Sequence, residues 1–193
     1  MEKKIGILGG TFDPPHYGHL LIAEEAMCQC ELDEIWFIPS QVPPHKERED
    51  LTLSEDRMKM VELAIYENDN FFLSTVELER EGRSYTVDTM RLLTEQYPTY
   101  QFYFIIGGDM IDFLPKWESI NELIQLVTFI GVKRPGYPSE SPYPKHVIEI
   151  EAPQVDISSS DIRERVAEGK NIRYLLPDNV RVYIEERGLY GQK

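Results

Sequence analysis

Ile5-Gly6-Ile7-Leu8 is a short apolar run that ends in Gly9-Gly10 and leads at once into Thr11-Phe12-Asp13-Pro14-Pro15-His16-Tyr17-Gly18-His19. The apolar run predicts a strand buried on both faces, as in a parallel sheet. Leu20 to Met27 predicts a helix directly afterwards. Strand, Gly-rich turn and helix in that order bring backbone N–H groups and a positive helix end to one point, where a phosphate can sit. The two glycines allow the tight turn and a close approach of backbone to ligand. His16 and His19 are three residues apart, so if both are helical they share a face and aim two imidazoles at an anion in the turn. A zinc pair is the competing reading, disfavoured because no Cys or third His lies near in sequence. Two exposed polar residues is the plainest one.

The rest of the chain alternates strands and helices. Asp33–Pro39 predicts a second strand, and the Pro-rich, charged stretch Ser40–Arg48 predicts a loop over the site mouth. Thr52-Leu53-Ser54-Glu55 has the capping-box form and opens a helix with Met58, Val61, Ala64 and Ile65 as its core positions. Phe71–Val76 predicts a third strand. Ser84, Tyr85, Thr86, Asp88 and Thr89 crowd the start of a helix that stops before Pro98. That is more hydroxyl than a cap requires, and several donors at a helix N-terminus make a carboxylate site. Gln101–Ile106 is the most strand-like run and ends in Gly107-Gly108-Asp109. An Asp there either accepts from ribose hydroxyls or caps the next helix, and both readings stand. Trp117 is either core or a stacking platform for a flat, cationic ring. Phe129–Val132 and Val147–Ile150 predict two more strands, Ser158–Val166 a Ser-capped helix with Arg163 in its first turns, and Pro177–Arg187 a helix closed by Gly188. No repeat, low-complexity tract or linker interrupts the order. The expected architecture is α/β: a Rossmann-like, doubly wound, mainly parallel sheet with helices on both faces, forming a single domain over residues 1–193.

Composition narrows the partners. At 193 residues, 41% hydrophobic and 11% aromatic, the chain can bury a sizeable core. A formal charge of −14 argues against a general nucleic-acid or anionic-membrane binder. A small phosphorylated ligand feels the local field instead, and basic residues cluster at His45-Lys46, Lys133-Arg134, Arg163 and Arg165. No apolar run is long enough to span a bilayer, the N-terminus does not read as a secretory signal, and Cys28 and Cys30 read as reduced thiols pointing apart, which together give a cytoplasmic expectation.

The Gly-x-Phe-Asp and His-x-Gly-His elements at 10–19 and the run Ile157-Ser158-Ser159-Ser160-Asp161-Ile162-Arg163 resemble the two signatures of the nucleotidylyltransferase superfamily. Pro-Pro-His-Lys at 43–46, Ser-Tyr-Thr-Val-Asp-Thr at 84–89, Ile-Ile-Gly-Gly-Asp-Met at 105–110, Lys-Trp at 116–117 and Gly-Val-Lys-Arg-Pro-Gly at 131–136 are similar to the bacterial nicotinate mononucleotide adenylyltransferases within it. Ser160 stands where Thr is more usual, a small departure because a hydroxyl remains. The resemblance implies transfer of AMP from ATP, brought with Mg²⁺, to nicotinate mononucleotide. It implies that Gly9, Gly10, Thr11 and Phe12 line the ATP phosphates, and that His19 with His16 stabilises charge at the reacting phosphates. Ser159, Ser160 and Arg163 would hold pyrophosphate, and Gly107 and Asp109 would bound the adenosine. Trp117 would stack on the nicotinate ring, with Ser84, Tyr85 and Thr86 toward its carboxylate and His45, Lys46 and Arg134 toward substrate phosphate. It implies no resident metal, and leaves the assembly open, a homodimer included. Nicotinamide mononucleotide as acceptor, and a regulator that binds nucleotide without turning it over, are the rival readings.

Overall fold

The computed structural model describes residues 2–40, 51–79, 85–133 and 141–191. Six strands form one sheet: β1 (Lys4–Gly10), β2 (Glu34–Pro39), β3 (Phe71–Leu73), β4 (Gln101–Gly107), β5 (Thr128–Lys133) and β6 (Val147–Glu151). Every pairing is parallel, and the strand order is β3-β2-β1-β4-β5-β6. This is the doubly wound order expected from the alternation of elements. The chain runs outward from β1 to β3, then crosses back to place β4 on the other flank of β1, so the order reverses between β1 and β4. Ligands of such sheets bind beyond the carboxyl ends of the strands at that reversal.

Side-chain alternation divides the core into two layers. Ile5, Ile7, Phe102, Phe104, Ile106 and Phe129 pack on one face against Val87, Met90 and Leu93 of α3 (Thr86–Gln96) and Ile120 and Leu123 of α5 (Ile120–Leu126). On the other face Leu8, Ile35, Phe37, Ile105 and Ile130 meet Ala23 and Ala26 of α1 (Tyr17–Cys30) and Val61 and Ile65 of α2 (Ser54–Ile65). Both faces of every central strand are therefore apolar, which is why these strands read as continuous rather than alternating hydrophobic runs. A third cluster, around Met60, Ile162, Val180 and Ile184, ties α2 to α6 (Ser159–Ala167) and α7 (Asp178–Arg187). Two short elements follow β4: α4 (Gly108–Ile111) and a 3₁₀ turn at Leu114–Lys116.

Several local expectations are corrected. The N-cap of α2 is Leu53 and no side chain caps it, so Thr52 and Glu55 do not form a capping box. Thr52 instead offers its carbonyl to Arg57 Nε at 3.1 Å. The buried residues of α2 are Asp56, Arg57, Met60, Val61 and Ile65, so Met60 rather than Met58 fills the core and two charged residues join it. β3 stops at Leu73, because Thr75 starts a turn in which its carbonyl accepts from the N–H groups of Leu78 and Glu79. Cys28 and Cys30 are free thiols, as expected.

Candidate active site

A cleft of about 940 Å³ opens over the carboxyl ends of β1 and β4. Its floor is the turn that follows β1. Gly9, Gly10, Thr11, Phe12, His16 and His19 all line it. Phe12 holds a left-handed backbone, φ 50°, which is uncommon for a residue with a side chain and needs support from its surroundings. Its ring, 1% exposed, packs edge-on to His19 with centroids 5.1 Å apart.

His16 and His19 do not present themselves as two residues on one helical face. His16 is the N-cap of α1, with extended backbone at φ −149° and ψ 171°. His19 is the third helical residue, and the imidazoles lie with centroids 3.8 Å apart, tilted by 31°. The His16 backbone N–H donates to His19 Nδ1 at 3.2 Å. This is one arm of a capping box, with imidazole in place of the usual Glu or Gln. It has a chemical consequence. With Nδ1 accepting, the proton of a neutral His19 belongs on Nε2, the remaining ring nitrogen. Burial and the neighbouring His16 hold His19 well below the usual imidazole range, and burial pushes His16 down to about 4. At pH 7 the pair is neutral, and His19 is an Nε2–H donor. Gly18 makes the stacking possible: a Cβ there would lie 3.0 Å from His16 Nδ1 and Cε1.

Helix ends add to the field. The first turn of α1 contains no acidic residue, so its positive end is not neutralised from within, while α3 and α6 carry Asp88 and Asp161 in theirs. At α6, Ser158 caps the helix by accepting from the Asp161 N–H at 3.1 Å. Ser159, Ser160 and Arg163 also line the cleft. Ser159 Oγ donates to the Pro14 carbonyl at 2.8 Å. Arg163 donates from Nη1 to the Asp13 carbonyl at 2.6 Å and from Nη2 to Ser160 Oγ at 3.2 Å. The two sequence signatures, some 140 residues apart, are thus one hydrogen-bonded unit.

The far wall comes from α3, β4 and the 3₁₀ turn. Tyr85, Thr86, Gly107, Asp109 and Trp117 line it. Asp109 is the second residue of α4 and does not cap it; the N-cap is Gly107. The Asp109 carboxylate folds over Gly107, with Oδ1 2.7 Å from where a Cβ at 107 would be. The hydroxyls at the start of α3 do not cap either: the N-cap is Tyr85, without a side-chain bond. Thr89, 1% exposed, gives its hydroxyl to Glu77 Oε1 at 2.8 Å. Trp117 packs into the core and also borders the cleft. It meets Phe104 and Phe129 edge-to-face, each at 5.8 Å, and its partly exposed ring borders the cleft. Its Nε1–H is buried and has no partner among the described residues. Lys133 turns away to pair with Glu149 at 2.5 Å. His45, Lys46, Ser84 and Arg134 lie outside the described residues. Glu77, unmarked in the sequence, and Lys116, marked there only as part of the Lys-Trp motif with no role of its own, also line the cleft.

The cytidylyltransferase-like family model matches residues 7–165. A curated relative from Geobacillus kaustophilus, a probable nicotinate-nucleotide adenylyltransferase, is 60% identical over 190 residues, covering 98% of this chain and 87% of its own. The nicotinate-nucleotide adenylyltransferase of Bacillus subtilis is 56% identical over 188 residues, 97% of this chain and 98% of its own. The chain belongs to the nicotinate-nucleotide adenylyltransferase family. As a member it is a nucleotidyltransferase of NAD biosynthesis. A solved structure, Plasmodium falciparum nicotinic acid mononucleotide adenylyltransferase complexed with NaAD, superposes with a TM-score of 0.80 at 25% identity, covering 98% of each chain. No helix among the described residues is long and apolar enough to cross a membrane.

Proposed function

We propose that this chain joins ATP to nicotinate mononucleotide, giving nicotinate adenine dinucleotide and pyrophosphate in one displacement. The observation that carries the reading is His19: its Nδ1 is taken by the His16 N–H, so a neutral Nε2–H donor lies in the cleft at the end of β1. An oxygen of the mononucleotide phosphate attacks the α-phosphorus in line. The new P–O bond forms as the bond to the bridging oxygen breaks, and that electron pair leaves with pyrophosphate. The attacking phosphate is ionised at neutral pH, so the step needs placement and charge stabilisation rather than a base or a covalent nucleophile.

His19, with His16 behind it, stabilises the charge that grows on the α- and β-phosphates. Gly9, Gly10 and Thr11 cradle the phosphates with the positive end of α1. Ser159, Ser160 and Arg163 hold the departing pyrophosphate. Asp109 and Gly107 bound the adenosine, Trp117 stacks on the nicotinate ring, and Tyr85 and Thr86 meet its carboxylate. Ser84, His45, Lys46 and Arg134 complete the acceptor side by the family resemblance. By the family resemblance Mg²⁺ would enter on ATP, held by phosphate oxygens and water rather than by a protein cage. The chemistry it would supply there is withdrawal of charge from the phosphates. The free thiols of Cys28 and Cys30 support a reducing, cytoplasmic setting.

ATP made chiral at the α-phosphorus with sulfur tests the single displacement. The dinucleotide product is expected with inverted configuration. Retention would mean two displacements through a covalent intermediate and would overturn this mechanism.

A further inference from the structure

We infer that Tyr190 is a positioning residue for the transfer, holding the signature turn through Asp13, with Arg57 as its companion anchor. The inference rests on the assignment of that turn to the reacting phosphates. Between Thr11 and Pro15 the chain forms neither helix nor strand, so nothing repetitive fixes it. Side chains from remote elements do so instead. The Thr11 carbonyl accepts from Arg57 Nη1 at 2.9 Å, the Asp13 carbonyl from Arg163 and the Pro14 carbonyl from Ser159. The Asp13 carboxylate, in a residue 1% exposed, accepts from the Tyr190 hydroxyl at 2.6 Å, across 177 residues of sequence.

Tyr190 follows the Gly188 C-cap of α7 and itself holds φ 63°. Its ring packs against the cluster that joins α2, α6 and α7, and its hydroxyl also lies 3.8 Å from Met60 Sδ. Burial and the Asp13 charge push its phenol upward, so it stays protonated and remains a donor. Arg57 is also 1% exposed, and Nη1 reaches the Ser40 carbonyl at 2.7 Å as well. It therefore clamps the signature turn to the chain leaving β2. Asp13 adjoins Phe12, whose strained backbone and ring contact support His19. The path runs from the hydroxyl through the carboxylate and the strained residue to the imidazole. A displacement of the imidazole by a fraction of an ångström costs rate rather than affinity, because its bonds strengthen as the phosphates react.

Tyr190→Phe removes one hydroxyl and keeps the packed ring. The account expects kcat to fall roughly tenfold or more, with KM for both nucleotides within about twofold, in protein whose circular dichroism and melting show it folded at the assay temperature. In an Asp13→Asn background the same change should cost far less, because the group through which Tyr190 acts is already altered. Wild-type kcat in folded Y190F, a change confined to KM, or full additivity with D13N overturns the inference while leaving the reaction standing. If Y190F does not fold, D13N alone carries the test: the expected result is the same loss in kcat at unchanged KM, and unchanged kcat overturns the inference. Wild-type protein that releases no pyrophosphate from the two substrates overturns the parent reading and this inference with it.

Discussion

At the scale of single residues, the account turns on a neutral histidine pair. Removing one preorganised donor aimed at developing charge costs roughly 100- to 1,000-fold in kcat. His19→Ala is expected to lose about that much, with the KM of ATP little changed; near-normal turnover in steady-state assays would remove His19 from its role. His16 makes a separate prediction about stability. Its folded pKa of about 4 lies below the unfolded value of 6.5, so between those values the unfolded chain binds a proton that the native chain does not. The contribution is complete above pH 6.5 and drains away as pH falls. Between pH 7 and 5 it amounts to about 2 kcal/mol. Urea unfolding at the two pH values should therefore show a smaller acid loss for His16→Asn than for wild type, by roughly that amount. Trp117→Ala should raise the KM of the mononucleotide and spare that of ATP; equal effects on both would remove the ring from the acceptor side. Residue identities at these points were legible because glycines, histidines and a Ser-Ser-Ser-x-x-Arg run are chemically unmistakable. Buried Arg57 was not. An arginine in a helix reads as solvent-facing, and the carbonyls that satisfy it come from Thr11, Ser40 and Thr52, whose convergence only the fold creates.

Elements convert these residues into geometry. The central β strands were legible as runs because a parallel sheet covered on both faces has no polar side there. Their ends were harder to read. β3 was expected to reach Val76, but Thr75 offers the backbone a local turn, closed also by its hydroxyl donating to Glu79 at 2.6 Å, which competes with the ladder. Likewise α1 was expected from Leu20 but begins at Tyr17, since the Tyr17 N–H is satisfied by the distant Leu175 carbonyl at 3.1 Å. The packing of α4 on β5 gives a prediction at this scale. A Cβ on Gly108 would lie 2.8 Å from the Val132 carbonyl oxygen, which is backbone and cannot swing aside. Gly108→Ala should shift α4, cost about 1–3 kcal/mol in denaturant unfolding, and raise the KM of ATP through displaced Asp109. Unchanged stability and KM would show that this contact does not set the position of Asp109.

Across the whole molecule, the strand order gathers at one cleft the described residues to which the family resemblance gives a site role. Strand reversal between β1 and β4 places the first signature beside Gly107, and the α6 signature returns to bond the turn at Asp13 and Pro14. The net charge of −14 is compatible with polyphosphate substrates because the field inside the cleft is set locally, by helix ends and Arg163. The alternation of elements made the topology legible. Nothing in sequence spacing revealed that the two signatures would share hydrogen bonds, since that is a property of the crossover. Purified protein with ATP and Mg²⁺ should be offered nicotinate mononucleotide, nicotinamide mononucleotide and phosphopantetheine separately, with pyrophosphate release as the readout. The account predicts release with nicotinate mononucleotide at a kcat/KM well above that of the other two. Preference for either of the others, or silence from folded protein that still binds ATP, would contradict it.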